Sequence, residues 1–165
     1  MIDSKFIFES ATGLYQVEAL LSEEDILQMA NKISQHRFKK GQAFETCRSG
    51  KKYLQALYQD SQREIFGVIT LDSQHRLISK KDLFFGTLNS AAVYPREVVK
   101  EVLLDNAAAA FIYHNHPSGL SAPSDADIKI TREIKKALSY IDVTLLDHFV
   151  IGREDVSSLA ESGLM

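Results

Sequence analysis

The apolar run "AAAAFIY" at residues 107–113 is followed directly by "HNHPSGLSAPSDAD". This junction constrains the chain more than any other stretch. An unbroken apolar run of that length, ending in bulky residues, predicts a short strand covered on both faces at the centre of a sheet. Such a strand requires helices on either side, so the expected fold class is α/β. Pro117 has no N–H to offer a neighbour and ends the strand. The loop "PSGLSAP" leads to Ser124, and Ser-x-x-Asp is a helix-start pattern in which each side chain satisfies the other residue's backbone N–H.

The surrounding chain supports this frame. "REIFGVITLD" is rich in β-branched and aromatic residues, "DSQHR" reads as a turn, and "LISKKDLFFGTL" as the returning strand of an antiparallel pair. Pro95 suits a first helical position, and "PREVVKEVLLDN" puts Val98, Val99, Val102 and Leu103 on one apolar face. A helix opened by Ser124 turns Ile128, Ile134, Leu138 and Ile141 inward. "VTLLDHFVIG" is a further strand, and a short helix is expected from Asp155. Upstream, Ser22 caps a helix carrying Ile26, Met29, Ala30 and Ile33. A loop at "KKGQAF" precedes a second helix from about Thr46, with Tyr53, Leu54, Leu57 and Tyr58. Residues before Leu20 read as an arm. The expectation is an α/β sandwich, a mixed β-sheet flanked by helices. Residues 1–45 form its N-terminal arm and helix, and residues 46–165 its main domain.

At 165 residues and 45% apolar content, one core can form without disulfides or metals. The single Cys47 excludes an internal disulfide and a multi-cysteine zinc cluster, and it fits a reducing cytoplasm. "MIDSKFIFES" shows no cationic segment leading into an apolar one, so no signal peptide is expected. No apolar run approaches the ~18 residues of a membrane span. A net charge of −3 gives no general attraction to nucleic acid or anionic membranes.

If residues 107–116 are extended, His114 and His116 project from one face, a spacing that offers two imidazoles to one ion. Asp127 then falls at the third position of the next helix. Capping alone explains Ser124 and Asp127 without any chemistry. With paired histidines just upstream, the same aspartate becomes a candidate third ligand. His, His and Asp suit zinc, and three protein ligands leave one position open for water.

"HNHPSGLSAPSDAD" resembles the JAMM motif, His-x-His-x(10)-Asp, of the JAB/MPN metalloprotease domain. More narrowly, "FFGTLNSAAVYPREVVKEVLLDNAAAAFIYHNHPSG" together with "LLDHFVIG" resembles bacterial RadC-type proteins. The likeness covers residues 46–165, and the short N-terminal part resembles the compact versions carried on prophages and plasmids. It implies a JAB/MPN-like sandwich, similar in layout to cytidine deaminases. It also implies a zinc ion held by His114, His116 and Asp127, with Ser124 polarising the substrate carbonyl and Glu64 as general base. Glu97 and Glu101, the competing acids, read as solvent-facing helix positions. Asn115 stands where eukaryotic relatives often carry Ser or Thr, without consequence for ligation. The implied activity is hydrolysis of a peptide or isopeptide bond in a peptide or protein substrate. A deaminase would need Pro-Cys-x-x-Cys, which this chain lacks.

Two other classes stay open at this point. One is a RadC-like, DNA-repair-associated or nucleic-acid-binding protein, suggested by "HRFKK" at 36–40 with Arg48, Lys51 and Lys52. A solvated helix end explains that patch equally, and no base-reading motif accompanies it. The other is a non-catalytic interaction module, against which retention of every ligand argues. An apolar edge strand would pair with a second copy, making a homodimer, or with an extended substrate. His148 is either a hydrogen-bonded core histidine or a group orienting a ligand. As a fourth ligand it would close the site. His36 and His75 are expected to be exposed.

Overall fold

The structure, a computed structural model, describes residues 5–9, 12, 14–17, 20–37, 47–86 and 93–165. Within them the chain runs β1 (Phe6–Glu9), β2 (Leu14–Val17), α1 (Glu23–Arg37), α2 (Cys47–Tyr58), β3 (Ile65–Leu71) and β4 (Leu77–Phe85). It continues through α3 (Pro95–Leu104), β5 (Ala109–Asn115), α4 (Asp125–Ser139), β6 (Thr144–Ile151) and β7 (Val156–Ser158). A mixed sheet has the order β4-β3-β5-β6-β7, in which only the β5–β6 pair is parallel. The doubly apolar run lies at its centre, and all seven residues of β5 are buried. Because β5 and β6 are parallel, a crossover must join them, and α4 provides it.

Alternation along the strands sorts the core into two layers. Phe111 and Tyr113 face α2, where Tyr53, Leu54 and Tyr58 pack against Ile69, Leu71, Phe149 and Ile151. Ala110 and Ile112 face the other side, packing with Val98 and Val102 of α3, Ile134 and Leu138 of α4, and Val68 and Leu145. Each large side chain buried this way contributes about 1.5–3 kcal/mol relative to exposure. The core's cohesion therefore does not depend on a metal.

Several expectations need correction. The segment read as an arm contains an antiparallel hairpin, with Phe6 opposite Val17 and the Phe8 and Tyr15 rings 4.9 Å apart. Its strands are only four residues long and mostly exposed, too short to show periodicity. The tail forms β7 where a helix was expected, because buried Asp147 recruits it. The Asp147 carboxylate accepts from Ser158 Oγ at 2.5 Å and from Ala160 N at 3.0 Å. Leu103 is exposed: one residue past buried Val102, it turns about 100° away from the core. Ile26 is exposed too, while Met29 takes the buried position on α1. The "KKGQAF" loop lies outside the described residues. The sheet's edges are β4 and β7, and Lys80, Lys81 and Asp82 lie in the middle of β4 between its apolar ends.

The α2 face holds a polar knot. Tyr113 Oη donates to Asp82 Oδ1 at 2.5 Å, Tyr58 Oη donates to the same oxygen, and the Lys80 ammonium lies 4.8 Å from the Tyr58 ring centre. Gly67 makes room for it, since a Cβ there would run into the Tyr113 phenol. Burial, with Asp82 beside them, pushes both phenols up from their ordinary range. A folded-state pKa above the unfolded value gives stability that is complete below the unfolded pKa of about 10 and lost as pH rises past it. In an alkaline titration, tyrosinate absorbance from Tyr58 and Tyr113 should therefore appear only as the helical circular dichroism collapses. Their ionisation in the intact fold would contradict this.

Candidate metal centre

His114 and His116 stand on one face at the C-terminal end of β5, towards the N-terminus of α4. His114 is almost wholly buried, and His116 is partly open to solvent. Their Nε2 atoms are 2.9 Å apart. Asp127 reaches them from the third residue of α4, with Oδ1 3.2 Å from His114 Nε2 and Oδ2 3.5 Å from His116 Nε2. Among the described residues, these three form a group able to hold a metal ion, with ligating atoms within 4.8 Å of one another.

The capping reading holds at the same residues. Ser124 Oγ accepts from Asp127 N at 3.2 Å, and Asp127 Oδ2 accepts from Ser124 N at 2.7 Å and from Ser124 Oγ at 2.6 Å. The Ser124 hydroxyl proton thus points at Asp127 here. Burial acts to raise the Asp127 pKa, but when the imidazoles carry protons on Nε2 their hydrogen bonds, from His114 and then His116, and the charge of His114 outweigh it. The carboxyl is held well below its usual range. Its hydrogen bond to Asp127 raises the His116 pKa, with the Leu120 carbonyl and the charge of Glu64 acting in the same direction.

The chemistry of the donor set can be tested from its protons. The Leu120 carbonyl oxygen lies 2.8 Å from His116 Nδ1 and can only accept, so that nitrogen carries a proton. A neutral His116 therefore presents a bare Nε2. His114 Nδ1 is occupied by His148 Nε2 at 2.8 Å, which leaves His114 Nε2 free to face the same point. Two nitrogen lone pairs and a carboxylate converge, an arrangement that calls for a shared proton or a cation. The residues fit zinc, which takes imidazole and carboxylate donors and leaves an open position when three protein groups bind it.

Glu64 lies just before β3. Phe66 pairs with His114 in the antiparallel β3–β5 register, so Glu64, two residues earlier, falls opposite His116 and on the same face. It is half-buried, and its charge acts on His116. Its carbonyl accepts from Gly86 N at 2.8 Å. Asn115, between the two histidines, accepts from Ile65 N at 2.8 Å and donates to Arg63 O at 3.0 Å. Asn115, for which the sequence suggests no part in the site, fixes the backbone on both sides of Glu64. Its position inside the His-x-His motif was the available signal. Glu97 is tied to Arg96 and Lys100, and Glu101 to Lys81, so the competing acids are engaged on α3.

His148 is fully buried, and both of its ring nitrogens are engaged, with His114 at 2.8 Å and Thr131 Oγ1 at 2.6 Å. It is a hydrogen-bonded core histidine, and its partner is a candidate ligand. Burial keeps its pKa well below the ordinary imidazole value. His75 is exposed in the turn, as expected. Of the basic patch, residues 38–40 and the side chains of His36, Arg37 and Arg48 lie outside the described residues, while Lys51 pairs with Glu161 at 2.5 Å.

A family model described as the RadC-like JAB domain matches residues 44–164. A UPF0758 protein of Alteromonas mediterranea is 54% identical over 122 residues, covering 74% of this chain and 54% of that protein. A UPF0758 protein of Marinomonas sp. is 49% identical over 140 residues, 85% of this chain and 62% of its own length. A third, from Idiomarina loihiensis, is 46% identical over the same coverage. The chain thus spans between about half and just under two thirds of the length of these curated relatives. No helix among the described residues is long and apolar enough to cross a membrane.

Proposed function

This chain belongs to the RadC-like JAB domain family, and on that premise we propose that it is a JAMM-type zinc-dependent metallohydrolase that cleaves a peptide or isopeptide bond. The observation that carries this reading is the convergence of His114 Nε2, His116 Nε2 and the Asp127 carboxylate on one point, with an acid placed across the strand pair from His116. His114, His116 and Asp127 would hold the ion. When bound there, zinc supplies Lewis acidity and brings the pKa of water down to about 7.

The chain's own residues do the rest. Glu64 accepts the proton of the attacking water and delivers it to the leaving amine, a role worth about 10²–10⁴-fold. Ser124 holds the Asp127 carboxylate in its ligating orientation through two hydrogen bonds. When substrate binds, the single hydroxyl proton of Ser124 turns from Asp127 to the substrate oxygen as charge develops there, and the bond from Ser124 N keeps the carboxylate in place. Asn115 keeps Glu64 in register with His116. A nucleic-acid-binding reading has less support, because Lys51, one of its basic residues, is committed to Glu161.

The test is incubation of the zinc-loaded protein with peptide and isopeptide-linked libraries in ¹⁸O-water. Each cleavage should leave one ¹⁸O in the new carboxylate, stop on chelation and return with zinc. Cleavage that persists after complete metal removal, or none from the loaded protein on either library, would contradict the reading.

A further inference from the structure

We propose that His148 and Thr131 are positioning residues: together they fix the tautomer of His114 and tie its imidazole to the backbone of Asp127, so that one buried relay sets two ligands at once. This rests on the metal reading above.

The protons of this relay are fixed from one end, at a group with no freedom. The Asp127 carbonyl oxygen can only accept, so the 2.5 Å contact from Thr131 Oγ1 uses the threonine's proton. That hydroxyl, having donated, accepts across the 2.6 Å contact to His148 Nδ1, and the proton of that bond sits on Nδ1. His148 is wholly buried, and neither of its ring nitrogens is bonded to a carboxylate, so it carries one proton and not two. Its Nε2 is therefore bare and accepts from His114 Nδ1–H at 2.8 Å. His114 in turn has its lone pair on Nε2, the atom that faces His116 and Asp127. A chain that begins on the backbone of one candidate ligand thus ends at the lone pair of another.

The elements explain why these residues meet. Thr131 lies four residues after Asp127 on α4, so its hydroxyl reaches the i−4 carbonyl, and both face the sheet. His148 is on β6 and His114 on β5, neighbouring parallel strands in which His148 pairs with Ile112 and His114 with Val150. Their rings lean together with centroids 4.9 Å apart, and Phe66 closes the far side of both. Both rings are buried, so a wrong tautomer would set two N–H groups or two lone pairs against each other with little access to solvent. Turned the other way, His114 would aim an N–H at the ion's position.

The experiment compares Thr131→Val with Thr131→Ser. Valine keeps the volume and removes the hydroxyl, whereas serine keeps the hydroxyl and removes a methyl group. Zinc affinity is read by competition with a chelator, and the histidine tautomers of the zinc-loaded protein by long-range ¹H–¹⁵N NMR. The parent should show both His114 and His148 protonated at Nδ1. Thr131→Val should weaken zinc binding by about 10–100-fold and disturb the His148 tautomer, while Thr131→Ser stays near the parent in both. A role limited to packing predicts the reverse order, with valine harmless and serine worse. That order, or His148 protonated at Nε2 in the parent, overturns the relay while leaving the metal reading intact. A parent that binds no zinc overturns the metal reading, and the proposal falls with it.

Discussion

Glu64→Gln should lower hydrolysis by roughly 10²-fold or more while leaving zinc content and unfolding temperature close to the parent's. Glutamine keeps the size and much of the hydrogen-bonding shape of glutamate but cannot accept a proton. Little else should change, because Glu64 is placed by its backbone. Gly86 N bonds its carbonyl, and Asn115 holds the residues on either side. Its side chain is half-buried at the rim of the sheet and contributes little to the two core layers. The pairing of lost turnover with retained metal separates a base from a ligand. Parental turnover in the variant would assign the proton transfer to another acid. Loss of zinc would place Glu64 in the coordination shell, contrary to the two-histidine, one-aspartate set.

His116→Ala should remove the metal and with it all hydrolysis, yet leave a folded chain. His116 is the more accessible of the two histidines, and it lies beyond the last residue of β5, outside both core layers. What its removal costs is one of three converging donors and the 2.8 Å tie to Leu120 O, which organises the following loop. The fair comparison is with the metal-free parent, since any bound ion stabilises the folded state by mass action. Against that reference, the unfolding temperature should fall by only a few degrees and the far-ultraviolet spectrum should be unchanged. Collapse of the fold in His116→Ala, or unfolding of the parent on chelation, would mark the site as structural. His114→Ala is a poorer probe, because it also empties a buried position between Phe66 and His148.

Where a residue's surroundings are set by its own run of chain, the sequence was enough. The apolar stretch 107–113 announced a central strand, and strand alternation put His114 and His116 on one face. Ser124 and Asp127 marked the start of α4. Capping and ligation looked like rival accounts of those two residues, but the structure shows one carboxylate doing the first and placed for the second. Its Oδ2 caps the helix while both oxygens face the histidines. Glu64 was located by likeness to a family pattern, and its physical basis appears only in the β3–β5 register.

Features that depend on distant partners were not legible. β7 forms because Asp147, buried on β6, collects donors from the tail, and no local propensity marks Val156–Ser158 as a strand. Asn115 acts on residues about fifty positions away, and Thr131 reads in sequence as one more polar helix residue. His148 was visible as a histidine in an apolar strand. Which atom it touches depends on how β5 and β6 align.

Zinc K-edge X-ray absorption of the zinc-loaded protein tests the central claim most directly. The account predicts one ion per chain in a four-coordinate shell with two imidazoles and oxygen donors, at about 2.0–2.1 Å. A third imidazole in the shell would put His148 on the metal and close the site, contradicting the hydrolytic reading. Zinc lost on gel filtration, or an all-oxygen shell, would contradict the metal centre itself.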